Sequence, residues 1–175
     1  MFTATTTINQ CEPDIQYVNI RPIRPTEIEN VVNELWQPFA ADMESRNERF
    51  ELADNATKAM INNFRNGIRQ DGVFILVAEV DNEVIGYLLF EIRDTPPIFK
   101  RERDCALDQL YVKPEHRGKS IGQALIDRAI LIGKEKGAET VVLTIDAENE
   151  GALKFFDNLG YDIWRHHLYK PIEDL

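Results

Sequence analysis

The sequence predicts a mixed α/β (α+β) domain, and three observations carry that class. Apolar residues recur at strand spacing in some segments and at helix spacing in others, in the order β-α-α-β-β-β-α-β-α-β-β. The stretch Leu107 to Gly122, Leu-Asp-Gln-Leu-Tyr-Val-Lys-Pro-Glu-His-Arg-Gly-Lys-Ser-Ile-Gly, reads as a strand, a sharp turn and the opening of a helix. At 175 residues, with 43% hydrophobic and 29% charged side chains, the chain has the size and balance of one globular domain with a substantial core.

Taken in order, residues 1–14 are polar, Thr-rich and without periodicity, and read as a loose tail before a single domain spanning 15–175. Tyr17 to Arg21 is a short strand candidate. Thr26 and Glu29 have the spacing of a capping box, and Ile28, Val31, Val32, Leu35, Trp36 and Phe39 follow on one helical face as far as about Met43. The charged run Glu44 to Asp54 reads as a loop or a frayed helix end. Asn55 to Gln70 is a second helix, with Met60, Ile61, Phe64 and Ile68 inward, stopped at Asp71-Gly72. Val73 to Val80 and Glu83 to Ile92 are strands joined by a hairpin at Asp81-Asn82. Arg93 to Asp104, with Pro96-Pro97, is a connecting loop. Leu107 to Val112 is the central strand, and Ile121 to about Lys136 is a third helix closed by Gly137. Thr140 to Ile145 is a fifth strand. Ala152, Phe155, Phe156 and Leu159 mark a fourth helix, and Tyr161 to Trp164 with His166 to Lys170 form a final pair of strands.

Composition excludes several classes. No apolar run approaches the ~20 residues that span a bilayer, so no membrane role is expected. The first residues lack a basic and then apolar leader, and the cytoplasm is the expected location. Cys11 and Cys105 make no disulfide framework. A net charge of −10 argues against nucleic acid as a partner. The imbalance is uneven: residues 1–95 hold 8 basic and 16 acidic side chains, a net of −8, and residues 96–175 a net of −2.

A short Gly/Ser loop that enters a helix leaves backbone N–H groups unpaired, with the positive end of the helix dipole behind them. Such a place suits phosphate. Gly118-Lys119-Ser120 ends like a P-loop, but that pattern needs glycine at position 113, where this chain has Lys113. Arg117 to Gly122 instead resembles the Q/R-x-x-G-x-G/A signature of the GNAT superfamily of acetyl-CoA-dependent N-acetyltransferases, with Ser120 at a position that is usually glycine. The strand, helix, strand and Asn-containing helix that this family shows around the loop follow here in order. The resemblance runs from about Val18 onward and implies a mixed, mostly antiparallel sheet flanked by helices.

The resemblance also implies roles. The backbone of Leu110, Tyr111 and Val112 would pair with the pantetheine arm of acetyl-CoA. The amides of Arg117, Gly118, Lys119, Ser120, Ile121, Gly122 and Gln123 would hold its pyrophosphate. Lys119 reads equally as a phosphate neighbour or a solvated lysine. Asn149 would lie on the cofactor side, and it is equally an N-cap for the fourth helix. Relatives commonly carry tyrosine at the position of Phe156, and its phenol protonates the departing CoA thiolate. Phe156 has no proton to give, so a slow enzyme is expected, with water or a hydroxyl such as that of Tyr111 in its place and Tyr161 as aromatic packing.

Acetylation of an amine needs a neutral nitrogen, so an ammonium must lose a proton. An aspartate inside an apolar strand is unusual by propensity. Asp108 is therefore the candidate base or substrate contact, with Glu91 in the neighbouring strand as its alternative. Trp36 lies where the family binds its acceptor and is also a good core residue. His166 and His167 are adjacent and share no ligand spacing with a Cys or carboxylate, so no metal is expected. The expected reaction is transfer of acetyl from acetyl-CoA to a small-molecule primary amine by direct attack, with a small cationic amine or polyamine favoured. A non-catalytic acyl-CoA-binding regulator of the same fold is the rival. Relatives are often homodimers.

Overall fold

Asp81 and Asn82 both adopt positive φ, 50° and 67°. A two-residue turn of that hand matches the twist of paired strands, and it folds β2 (Val73–Val80) back onto β3 (Glu83–Asp94). The computed structural model that shows this describes residues 17–170. The tail expected over residues 1–14 lies outside the described residues.

β4 (Arg103–Val112) returns antiparallel to β3, and β1 (Asn19–Pro22) pairs antiparallel with β2 on the other side. β5 (Thr140–Leu143) adds parallel to β4, so the five strands stand in chain order and only the last pair is parallel. β3 and β4 run longer than their apolar segments. Asp94 pairs with Arg103 and Arg93 with Asp104, so residues read as loop are ladder. The Arg103–Asp94 and Arg101–Asp104 ion pairs hold this charged end.

One face of the sheet is covered by a helical run: α1 (Ile28–Val31), a π-helical turn (Val32–Trp36), α2 (Gln37–Arg46) and then α3 (Ala56–Gly67). Ile28, Val31, Val32, Leu35, Trp36 and Phe64 pack there with Ile75, Val77, Tyr87, Leu89 and Tyr111 from the strands. The run starts earlier than the Thr26–Glu29 spacing implies. Glu27, not Glu29, turns back to accept the Arg24 N–H at 2.9 Å, because Pro25 opens a 3-10 turn one step ahead. Glu29 pairs with Arg65 of α3 instead. The opposite face takes α4 (Ile121–Glu135), which buries Ile121, Ala124, Leu125, Ile126 and Ala129. There the ring pair Phe74–Phe90 stacks with centroids 5.0 Å apart.

Among the described residues, those up to Thr144 form one compact unit and those from Ile145 onward another. In the second, α5 (Glu150–Asn158) is capped by Asn149, whose Oδ1 accepts the Ala152 N–H at 3.1 Å. The Phe156 ring meets Tyr161 edge-on at 5.1 Å. The two final strands expected over 161–170 do not form. Those residues are in no regular element, and Ile163, Trp164 and Leu168 are 74%, 58% and 96% exposed. Alternating apolar residues become a strand only where a ladder and a buried face receive them.

Gly86 sits where β3 passes closest to β4. A Cβ there would stand 2.9 Å from the Tyr111 carbonyl oxygen and 3.2 Å from the Val112 side chain. Gly86→Ala is expected to destabilise the protein by about 1–3 kcal/mol through this overpacking. Thermal unfolding checks it, the midpoint falling by several degrees.

Candidate active site

The register of β3 and β4 slips at one point. Leu89 faces Gln109 and Phe90 faces Leu107, so Asp108 is an extra residue on β4 with no partner of its own, a β-bulge. Below the bulge, Ala106 stands opposite Glu91, and above it Gln109 and Tyr111 stand opposite Leu89 and Tyr87. The extra residue therefore keeps Asp108 on the face that Glu91, Gln109 and Tyr111 share, the one covered by α1 to α3.

The same point ends the β4–β5 pairing. Its last partners are Leu107 and Leu143. Beyond them β4 continues to Val112 with no described strand on that side. Lys113 donates its N–H to Ile85 on β3 at 2.9 Å. Alternation along the strand then turns the N–H and C=O groups of Leu110 and Val112 outward, away from β3. The Val112 carbonyl accepts from Arg117 Nε at 2.9 Å, and the Arg117 guanidinium lies 5.3 Å from the Tyr111 ring centre. Leu110 keeps both outward groups outside the ladder.

The side chain of Arg117 thus pins the loop to the end of β4, and a glutamine amide is able to donate the same bond. Beyond it Gly118 and Ser120 take the left-handed conformation, φ 73° and 58°. Successive N–H groups in such a turn converge into an anion-binding hollow. No side chain caps α4, so the N–H groups of its first turn, from Ile121, Gly122 and Gln123, remain for a ligand. Lys119 is exposed beside them. These groups are what a pyrophosphate requires. They come from contiguous chain within the first unit. Asn149 and Phe156 belong to the second, where Asn149 is the N-cap and Phe156 packs on Tyr161.

Asp108 sits among charges. Arg93 Nη2 donates to its Oδ1 at 2.7 Å, and Arg93 Nε donates to Glu91 Oε2 at 2.9 Å. Burial pushes the Asp108 carboxyl above its ordinary value, Arg93 opposes that, and the Glu91 charge adds to it. Its side chain is 27% exposed. Beside it the Tyr87 hydroxyl donates to Gln109 Oε1 at 3.1 Å. Burial holds the Tyr87 phenol far above its ordinary pKa, so it stays a neutral donor. Trp36 is 5% exposed in the core of the same face, and Phe39 meets Tyr111 edge-on at 6.4 Å. The acidic loop after α2 is tied down where Glu44 Oε1 accepts the Leu52 N–H at 3.0 Å. No group of three or more His, Cys, Asp or Glu among the described residues is placed to hold a metal.

Sequence reasoning singled out Asp108, with Gln109 beside it, and Glu91, but passed over Arg93 and Tyr87. Arg93 was within reach: Glu91 and Arg93 are two apart, so any extension of β3 past Ile92 puts both on one face.

A family model described as the acetyltransferase (GNAT) family matches residues 28–161. An uncharacterized N-acetyltransferase of Methanocaldococcus jannaschii is 36% identical over 93 residues, 53% of this chain and 40% of the relative. The L-amino acid N-acyltransferase MnaT of Escherichia coli is 30% identical over 90 residues, 51% of each. The chain spans about half the length of the curated relatives it matches. Among solved structures, a predicted acetyltransferase of Clostridium acetobutylicum with acetyl-CoA shares the fold, at TM-score 0.68 and 19% identity over 90% of this chain and 98% of that one.

The left-handed Ser120 supplies a stability test. An L-residue there carries about 1–2 kcal/mol of strain, against about 0.5–1 kcal/mol of entropy that glycine loses on folding. The strain outweighs the entropy. Ser120→Gly is expected to raise the unfolding free energy by about 0.5–1 kcal/mol, read by denaturant titration. The hollow is built of backbone, so its affinity for a phosphorylated ligand should be unchanged.

Proposed function

The chain belongs to the acetyltransferase (GNAT) family, and on that premise we propose that it transfers the acetyl group of acetyl-CoA to a small-molecule primary amine by direct attack. The observation that carries this reading is the parting of β4 from β5 at Leu107, with a left-handed hollow and an uncapped helix beside it. The outward N–H and C=O of Leu110 fit an extended amide-bearing arm. The amides from Arg117 to Gln123 fit the pyrophosphate at its far end.

In this reading acetyl-CoA supplies an activated thioester, and the residues do the rest. Asp108 takes the proton that an incoming ammonium must lose, leaving the nitrogen its lone pair. The nitrogen bonds to the acetyl carbon, the carbon–sulfur bond breaks, and the electron pair leaves with sulfur. An outward backbone N–H of Leu110 or Val112 stabilises the charge on the carbonyl oxygen. The amine's second proton reaches the thiolate through water or a hydroxyl, since Phe156 has none to give. A thiolate whose acid has a pKa of about 8.5, by analogy with cysteine, leaves tolerably unaided. Glu91 is the alternative base, and Trp36 supports the acceptor side from the core.

Free CoA released by purified protein across an amine panel tests the activity. Asp108→Asn is expected to lower kcat by about 10²–10⁴ while acetyl-CoA affinity by calorimetry holds. Gly122→Asp, which sets a carboxylate against the phosphates, should lose that affinity. Tight binding with no turnover on any amine would give the chain to the non-catalytic regulator reading.

The favoured acceptor is cationic. Residues 1–95 carry a net −8 against −2 for the remainder, and Glu91, Arg93 and Asp108 together carry −1 when all are ionised. Such a field draws ammonium groups and is screened over about 10 Å at 0.1 M salt. The Michaelis constant for a polyamine should rise with salt, and that of a neutral-bodied monoamine should rise less. Equal salt response for both would reject the cationic preference.

A further inference from the structure

Arg93 holds two carboxylates at once, Asp108 on β4 and Glu91 on its own strand, and it is itself about half exposed. An exposed ion pair contributes little to stability, so stability is a poor account of this arrangement. The bulge gives a better one. Asp108 has no residue opposite it in the ladder to set its direction, and among the described residues the one group that bonds its carboxylate is the Arg93 guanidinium.

We propose that Arg93 is a positioning residue for acyl transfer: it aims the Asp108 carboxylate into the face covered by α1 to α3 and keeps it in its charged, proton-accepting form. This rests on Asp108 being the base. Among the described residues, the charged groups acting on Asp108 come from β3. Arg93 favours the carboxylate, and Glu91, two residues away on the same face, disfavours it. On β4 itself the Cys105 thiol is pushed up to about 11 and stays neutral. β5 (Thr-Val-Val-Leu) has no titratable side chain, α4 turns Ile121, Leu125, Ile126 and Ala129 inward, and the π-helical turn buries Val32, Leu35 and Trp36. Glu34 of that turn acts on Lys113. Two opposing charges on one strand therefore set when the base is ready.

That opposition is the test. The acidic limb of kcat/KM against pH reports the free base. Arg93→Gln removes the favourable charge and should move the limb to higher pH, with activity on its acidic side falling severalfold. Glu91→Gln removes the unfavourable charge and should move the limb to lower pH. Arg93→Lys restores the charge without the fork that grips both carboxylates, so the limb should return toward wild type while kcat stays low. Acetyl-CoA affinity should hold in all three. A merely structural Arg93 would lower activity at every pH without moving the limb. If Arg93→Gln does not fold, Glu91→Gln and Arg93→Lys decide the matter alone. An unmoved limb in these variants, with Asp108→Asn inactive, overturns the role of Arg93 and leaves the base in place. A wild-type limb that persists in Asp108→Asn overturns the base and the proposal with it.

Discussion

β4 is laddered on both sides only as far as Leu107. On one flank it runs on with β3 to Val112; on the other, β5 stops at Leu143. Nearly everything assigned to the site depends on this one-sided release. A backbone laddered on both sides has no hydrogen-bonding groups to offer a ligand, and one released on both would have no fixed geometry. Held by β3 alone, β4 is rigid and still has unused donors and acceptors. The bulge at Asp108 falls at the same level, so the change in pairing and the change in side-chain parity coincide. One extra residue turns a carboxylate onto the face beneath α1 to α3 at the level where β5 parts from β4.

The loop that follows continues the same economy. The anion site proposed there is made of backbone amides, held by left-handed turns at Gly118 and Ser120 and by the Arg117 side chain folded onto the strand end. The charged chemistry is kept to the other face, in Asp108, Arg93 and Glu91. In the proposed function, cofactor recognition and proton handling therefore rest on different kinds of group, main chain for the first and side chain for the second. A change of acceptor is thus possible through side chains without disturbing the cradle.

What the sequence made legible follows from how local each signal is. The Asp81-Asn82 turn, the apolar faces of α3 and α4, and the Arg117–Gly122 loop are written in neighbouring residues and were placed closely. The bulge is not local. It exists only in the register between two strands, and nothing in Leu-Asp-Gln-Leu marks one residue as extra. Arg103 and Asp104 read as loop because charge usually marks solvent, yet each stands opposite a residue of unlike charge across the ladder. The π-helical turn at Val32–Trp36 kept its apolar period and so passed as ordinary helix. Residues 161–170 failed the other way: the alternation is present and no ladder takes it up. Thr26–Glu29 had the right spacing for a cap, but Pro25 had already begun the turn.

The strand order β1-β2-β3-β4-β5 has a consequence for the way the chain assembles. Each strand lies beside its predecessor, and the three with the longest ladders, β2, β3 and β4, form an uninterrupted meander of 40 residues from Val73 to Val112. Contacts so near in sequence close small loops at little entropic cost and form early. The bulge is a register choice between β3 and β4, so it is settled by contacts within that meander and needs none from β5. β5 joins through the longer crossover that contains α4 and pairs only from Asp104 to Leu107. The geometry of the open stretch beyond Leu107 is thus carried by contacts near in sequence and does not depend on the crossover strand.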